Sequence, residues 1–565
     1  MKDYHFSQLA YIPTDFEAVA AKLRQYAAAA AAARTPEELI AADRACDELC
    51  DEVGFAGALA YIRSSLDCTD EFYAEAAQKE AMGAARMDTA GYIRALLASP
   101  LLPALEERFG PEYRPRLERE VRLKTAGQEL MAQEQALISQ YQQKKAQTRV
   151  PFRGKERSEA EMYALFDSPD RATRFEARRA TCEAFLAQKD LLAPMLRQLV
   201  RLRCEIAKAN GFASYLDYAN TSFFRRGYGE AELTAFCGQV KAHLVPLLQT
   251  LRGQQRAALG LEKLMSWDLS VQFAGGNAVP AGDAAALTRA SQAMYNALSP
   301  EFGRFFRAMT ASGSLDVTAS PNKVAGMGFC APLAPGYLPY VFGNCNGTDY
   351  DVTVFTHEIG HAWQMHRTTQ ALEGQGMPAN LREMALDAVE IPSKTMELFA
   401  YPYAEGFFGA DAEKFRQGHF RKALFEVAAY CQIHEWNTWL YTHPDASFEE
   451  MAAAGLAIEQ EYEPGIDHGP LRPLLEQGAA LLRNLAVYSF PRYVISYSLS
   501  EMCAIELFAR MQTDPAGAWQ AYNALCAMGG SRSYPETLRA AGLSPAYAPG
   551  SVQRAAQFAR GYLGL

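Results

Sequence analysis

No CxxC pair occurs in this chain, and its eleven cysteines, scattered from Cys46 to Cys526, have none of the regular spacing of a secreted disulfide framework. They read as reduced thiols. The closest pair, Cys46 and Cys50, stands at helical spacing with no second Cys or His pair nearby, so packing explains it better than metal binding. Long apolar runs are missing too. The N-terminus, Met1 to His5, leads into mixed polar sequence without the apolar segment of a signal peptide. The longest uncharged stretch, Val324 to Thr348, is broken by Pro332, Pro335, Pro339 and five glycines, which excludes a membrane helix. The expected location is the cytoplasm, with no membrane partner. Positive charge is also in short supply. Lys and Arg number 55 against 65 Asp and Glu, a net charge of -10, which argues against a nucleic-acid partner. Apart from the alanine-rich Tyr26 to Ala33, no low-complexity tract or internal repeat is found.

What remains is an ordinary globular composition, 49% hydrophobic and 21% charged, in 565 residues, more than a single hydrophobic core accommodates. Helical periodicity dominates. Thr35-Pro36-Glu37-Glu38 has the pattern of a capping box, and Arg114 to Lys145 reads as one long, half-exposed charged helix. Around Thr148 to Lys155 an extended segment or turn interrupts the helices, and a further long helical pattern stops at Asn210-Gly211. The domain division is placed at residue 200, with an N-terminal helical domain over 1–200 and a catalytic domain over 201–565. Lys323 to Thr348 reads as two short strands closed by the turn residues Gly343 to Gly347. After Asp349 the pattern is helical almost to the end. The fold class is mainly α with a small β element.

Histidine is scarce, nine in all, yet two stand four apart in His357-Glu358-Ile359-Gly360-His361. On a helix, residues four apart are separated by about 6 Å of rise and about 40° of rotation, so both imidazoles project from one face. Such a pair supplies two protein ligands to one zinc ion and leaves a position for water. Glu358 sits where it can take that water's proton during attack on a carbonyl and deliver it to the leaving amine. Val352, Phe355, Ile359 and Ala362 form an apolar stripe, so the motif belongs to a buried helix whose start Asp349 or Asp351 can cap. Gly360 weakens that helix by about 1 kcal/mol relative to alanine, which implies a close neighbour beside the second histidine.

A third histidine at the HExxHxxGxxH spacing would occupy 367, but the chain has Arg367 there and Gln364 where glycine is needed. The third ligand is therefore expected to be a downstream acid. A helix from about Ala379 to Tyr401 aligns Glu383, Glu390 and Glu397 seven residues apart, with Asp387 near Glu390. Spacing alone does not choose between them.

These residues, Asp351-Val352 and Thr356 to His361, then Glu390-Ile391-Pro392-Ser393 and Met396-Glu397, resemble the oligoendopeptidase F and thimet oligopeptidase family of zinc peptidases. The likeness extends to Gly326 to Cys330, Phe342 to Thr348, Tyr493 to Tyr497 and Ser500-Glu501. It implies one zinc per chain held by His357, His361 and Glu390, with Asp351, Asp387 and Glu397 supporting the site. It implies two helical lobes flanking a deep channel and, as partners, oligopeptide substrates. It further implies that Gly326, Gly328 and Phe329 meet the substrate backbone, and that Tyr497 and Tyr493 donate to the oxyanion. The chain departs from the family in one respect: members usually carry a histidine shortly before these tyrosines, and Asn484 to Pro491 has none. His468 is the available substitute, although its loop setting suits a surface role. The function read from all this is a zinc endopeptidase of short peptides. The competing readings are a helical zinc carboxypeptidase, a peptide-binding protein with an impaired site and a structural scaffold.

Overall fold

The computed structural model describes residues 2–123, 126–324, 327–373 and 376–565. Helices take up 70% of the chain, and the strands form only one two-stranded and one three-stranded sheet, so the fold is mainly α as the periodicity requires. No helix among the described residues is long and apolar enough to cross a membrane.

Two compact units emerge, each assembled from three segments: Met1–Arg122, Val279–Glu413 and Cys503–Ser544 in the first, and Leu123–Ala278, Lys414–Met502 and Pro545–Leu565 in the second. The sequential division at residue 200 falls inside the helix Lys189–Ala209. Leu196, Leu199, Val200, Leu202 and Ile206 are buried continuously across it, so the helix has no linker there.

Strands β1 (Arg149–Phe152) and β2 (Lys155–Ser158) form an antiparallel hairpin in the second unit. Its two-residue turn places both Arg153 (φ 48°) and Gly154 (φ 78°) in the left-handed region, the conformation a tight hairpin turn prefers. The single charged helix expected over Arg114 to Lys145 is divided into Tyr113–Leu123 and Gln128–Gln147. Gly127, at φ 77°, caps the start of the second piece, a conformation that interrupts helical hydrogen bonding.

In the first unit, the helix Pro36–Leu66 begins with Thr35 Oγ1 accepting from the Glu38 amide at 3.3 Å. Glu38 reaches one residue beyond the expected box, accepting from the Arg34 amide at 2.7 Å. The small sheet has the order β3-β5-β4, with β3 (Leu315–Asp316) parallel and β4 (Phe329–Ala331) antiparallel to the central β5 (Tyr340–Phe342). Strands β4 and β5 are the two anticipated. Strand β3, two residues long, is too short to show alternation.

The sheet rests against helix α1 (Asp349–Glu373), which packs on α2 (Leu386–Phe399). Helix α3 (Ile495–Met511) follows later in the chain, then α4 (Pro515–Met528), which also packs on α1. Trp363 of α1 donates from its indole to Asn523 Oδ1 of α4 at 2.9 Å and stacks on Phe302 with centroids 4.4 Å apart. Thr368 Oγ1 donates to the Cys526 carbonyl at 2.6 Å. These bonds satisfy polar groups that burial would otherwise penalise, and they fix α1 in rotation about its axis.

Candidate metal and catalytic site

The apolar stripe of α1 is buried as its periodicity demands: Val352, Phe355, Ile359 and Ala362 are each at most 1% exposed. With that face inward, His357 and His361 turn toward α2. The close neighbour implied by Gly360 is α2 itself. A Cβ at Gly360 would lie 2.7 Å from both the Pro392 carbonyl oxygen and the Ser393 Cα, closer than atoms can pack. The missing side chain thus lets the two backbones approach and brings Glu390 under the histidines.

Helix α2 starts at Leu386, later than expected, so Glu383 lies outside it and leaves the acid stripe. Ala385, with extended ψ of 141°, ends the run of non-helical residues that precedes it. Of the remaining acids, Glu390 Oε2 lies 3.2 Å from His357 Nε2 and 3.2 Å from His361 Nε2, and the two ring nitrogens are themselves 3.2 Å apart. Among the described residues, these three side chains form the group able to hold a metal ion. The triangle fits zinc. Tetrahedral ligands at about 2.0 to 2.1 Å from the ion are separated by about 3.3 Å, close to the spacing observed.

Around the triangle, Glu397 Oε1 lies 2.6 Å from His357 Nδ1, which directs Nε2 toward Glu390, and Lys394 Nζ lies 3.4 Å from the same oxygen. Ser393 Oγ donates to Glu390 Oε2 at 3.0 Å. This hydroxyl had no place among the expectations, although a serine three positions after a helical acid is a readable signal. Asp387 is fully buried in the first turn of α2. Asp351 is fastened to the preceding turn, accepting from the Asn346 amide at 3.0 Å and the Gly347 amide at 2.7 Å.

Electrostatics separate the two glutamates of the site. Burial pushes the Glu358 carboxyl above its ordinary value, with His357 and His361 opposing the rise. For Glu390 burial acts the same way, but His361 and His357 overcome it and hold the carboxyl well below the usual range. His357, whose burial favours the neutral ring, is pushed up to about 10 by Glu390 and Glu397. Burial thus favours the protonated carboxyl at Glu358, whereas the two histidines favour the carboxylate at Glu390.

The model of the peptidase M3 N-terminal domain matches residues 6–124, and that of peptidase family M3 matches residues 164–553. The chain belongs to peptidase family M3. Among solved structures, a Pz peptidase A with an inhibitor is 30% identical over 99% of both chains with a TM-score of 0.88. A putative oligoendopeptidase F is 31% identical over 100% of this chain and 99% of its own, with a TM-score of 0.88. Another, from Bacillus anthracis str. Ames, is 29% identical over 100% and 99% with a TM-score of 0.85. A search of curated proteins returned no match.

Of the residues this M3 peptidase was expected to turn toward substrate, Gly326 lies outside the described residues. Gly328 sits against α1, where a Cβ would lie 2.2 Å from Val354 Cγ1 and 3.6 Å from Glu358 Cγ. Phe329 pairs in register with Phe342, their rings stacked 4.8 Å apart, and it also contacts the Tyr61 ring at 4.9 Å. Its ring is therefore engaged in packing, which leaves backbone as what it can offer a peptide.

Tyr493 and Tyr497 belong to the second unit. Their rings are 5.6 Å apart, both half-buried, and Tyr497 leans on Tyr430 at 5.5 Å. The turn before them is strained: Arg492, fully buried, adopts φ 66°. Its guanidinium donates to Thr438 Oγ1 at 2.8 Å and pairs with Glu230, while its carbonyl accepts from Arg225 at 3.0 Å. His468 is not the surface residue its loop suggested. It is 5% exposed, with Nε2 2.9 Å from Glu459 Oε2.

Proposed function

We propose that this M3 peptidase is a zinc-dependent endopeptidase that cleaves internal bonds of short oligopeptides. The supporting observation is the 3.2 Å triangle of His357, His361 and Glu390 with the proton acceptor Glu358 on the same helix. His357, His361 and Glu390 hold one zinc, and Glu397 and Ser393 orient two of them through the bonds described above. Zinc, when bound, supplies Lewis acidity that polarises the scissile carbonyl and makes water a stronger acid.

The chain's own residues do the rest. Glu358, its carboxyl raised by burial, accepts a proton from the attacking water and passes it to the leaving amine. The outer edge of β4 offers backbone groups to an extended peptide, and Gly328 keeps side-chain bulk away from Glu358. Tyr497, with Tyr493, is assigned as donor to the tetrahedral oxyanion on the family likeness. Asp387 and Asp351 hold the helices that carry the ligands, and the cytoplasm is the proposed location. The names Pz peptidase A and oligoendopeptidase F, carried by similar structures, support peptides as the substrate class.

The test is cleavage of end-blocked and free peptides, before and after a chelator, by wild type and Glu358→Gln. Zinc-dependent internal cleavage lost in the variant, with zinc retained, is expected. Trimming of free C-termini alone would make the protein a carboxypeptidase, and tight peptide binding without turnover would make it a binding protein.

A further inference from the structure

Beside Glu358, a small, partly open pocket lies between α1 and the end of β5 in the first unit. Its walls include Val317, Val341, Val354 and Phe355, and two exposed apolar side chains, Met327 and Tyr350, complete the lining. The free volume is about 30 Å³, roughly two to three times what a single water needs, so a small aliphatic group fits and a ring does not.

Two of the polar side chains around it are committed to neighbouring backbone. Asn344 accepts from the Ser320 amide at 3.0 Å and donates to the Ser320 carbonyl at 3.0 Å. Both Asp351 oxygens accept from the Asn346 amide, and one also from Gly347. Burial, with Asp351 adding to it, pushes the Cys345 thiol up to about 12, which keeps it neutral. A side chain as long as lysine exceeds this space, and an acidic one would also face the Asp351 and Glu358 carboxylates.

We propose that this pocket is the subsite that selects a small, uncharged, apolar side chain, alanine-like in size, on a residue flanking the scissile bond. The assignment rests on the endopeptidase reading, because it takes Glu358 to act at that bond. Successive residues of an extended peptide are only about 3.3 to 3.6 Å apart, so a pocket bordered by Glu358 serves a residue immediately next to the cleaved bond.

End-blocked peptides varied at each flanking position, with Gly, Ala, Ser, Val, Leu, Phe, Asp or Lys, test it through kcat/KM for wild type, Val317→Ala and Val354→Ala. Peptide affinity is measured in parallel on Glu358→Gln, so binding is read independently of turnover. At one position, wild type favours Ala over Leu and Phe by at least about tenfold, the discrimination that a methylene or more in an apolar pocket provides. Each enlarging variant moves that preference toward Val or Leu at the same position and no other. Cleavage with no size preference, or a preference that neither variant moves, overturns the subsite. Ranked binding without any cleavage supports the subsite and refutes the endopeptidase reading, and the absence of both binding and cleavage overturns the two together.

Discussion

Replacing Gly360 by alanine places two effects in opposition. Alanine favours the helix by about 1 kcal/mol over glycine, which alone would stabilise α1. Its Cβ, however, would meet the Pro392 carbonyl oxygen and the Ser393 Cα at 2.7 Å, both backbone atoms that cannot rotate away. Restoring ordinary contact asks α1 and α2 to separate by about 0.7 Å. Overpacking of this kind costs about 1 to 3 kcal/mol, so the net result is a metal-free protein destabilised by up to about 2 kcal/mol. The same displacement carries Glu390 away from two histidine nitrogens now 3.2 Å from it, whereas metal ligands tolerate about 0.2 Å. Zinc affinity is then expected to fall by at least the 10- to 100-fold seen when supporting contacts are lost. Calorimetric titration of zinc into chelator-treated wild type and Gly360→Ala, with thermal melts of both metal-free proteins, measures the two effects separately. A variant that is more stable and binds zinc as tightly as wild type would refute the argument that this glycine sets the spacing of the donors.

Glu397→Gln removes the carboxylate 2.6 Å from His357 Nδ1 and is expected to weaken zinc binding about 10- to 100-fold while leaving helix content unchanged by circular dichroism. Tyr497→Phe should lower kcat by about 10²- to 10³-fold with little change in KM, as loss of an oxyanion donor does; an unchanged kcat removes this tyrosine from the mechanism. Asp268, fully buried, accepts from Arg171 at 2.8 Å and Arg174 at 2.7 Å. Asp268→Ala should destabilise the protein by about 3 to 5 kcal/mol because it strands the buried Arg174, seen as a lower Tm at neutral pH. Burial would raise the Asp268 carboxyl, but the two arginines hold it below its ordinary 3.8. Its contribution is therefore complete above about pH 4 and lost as pH falls through the lowered folded value, so the Tm gap between variant and wild type should close in acid.

The parts that could be read in advance are those fixed by local chemistry. The stripe Val352, Phe355, Ile359 and Ala362 dictates which face of α1 is buried, and a glycine in mid-helix announces a close neighbour before that neighbour is known. Glu390 is different. Three acids at heptad spacing are equivalent until the start of α2 is known, and that start depends on how residues 379–385 are held by other parts of the unit. Ala379, for example, donates to Asp47 at 2.7 Å, and Arg382 pairs with Asp51 at 2.9 Å. Such contacts between residues more than 300 positions apart leave no periodic trace, and neither does the composition of the two units from interleaved segments. His468 shows the same limit, since its burial follows from Glu459 on a neighbouring helix and not from its own loop.

The donor set lies entirely within Asp349–Phe399, two consecutive helices, whereas the surrounding unit is closed by contacts as distant as Arg116 to the Gly530 carbonyl, 414 positions apart. On a growing chain His357, His361 and Glu390 all emerge well before α4 exists to pack against α1. The loop that joins the candidate ligands is thus short, and closing it costs less entropy than the long-range contacts that complete the unit.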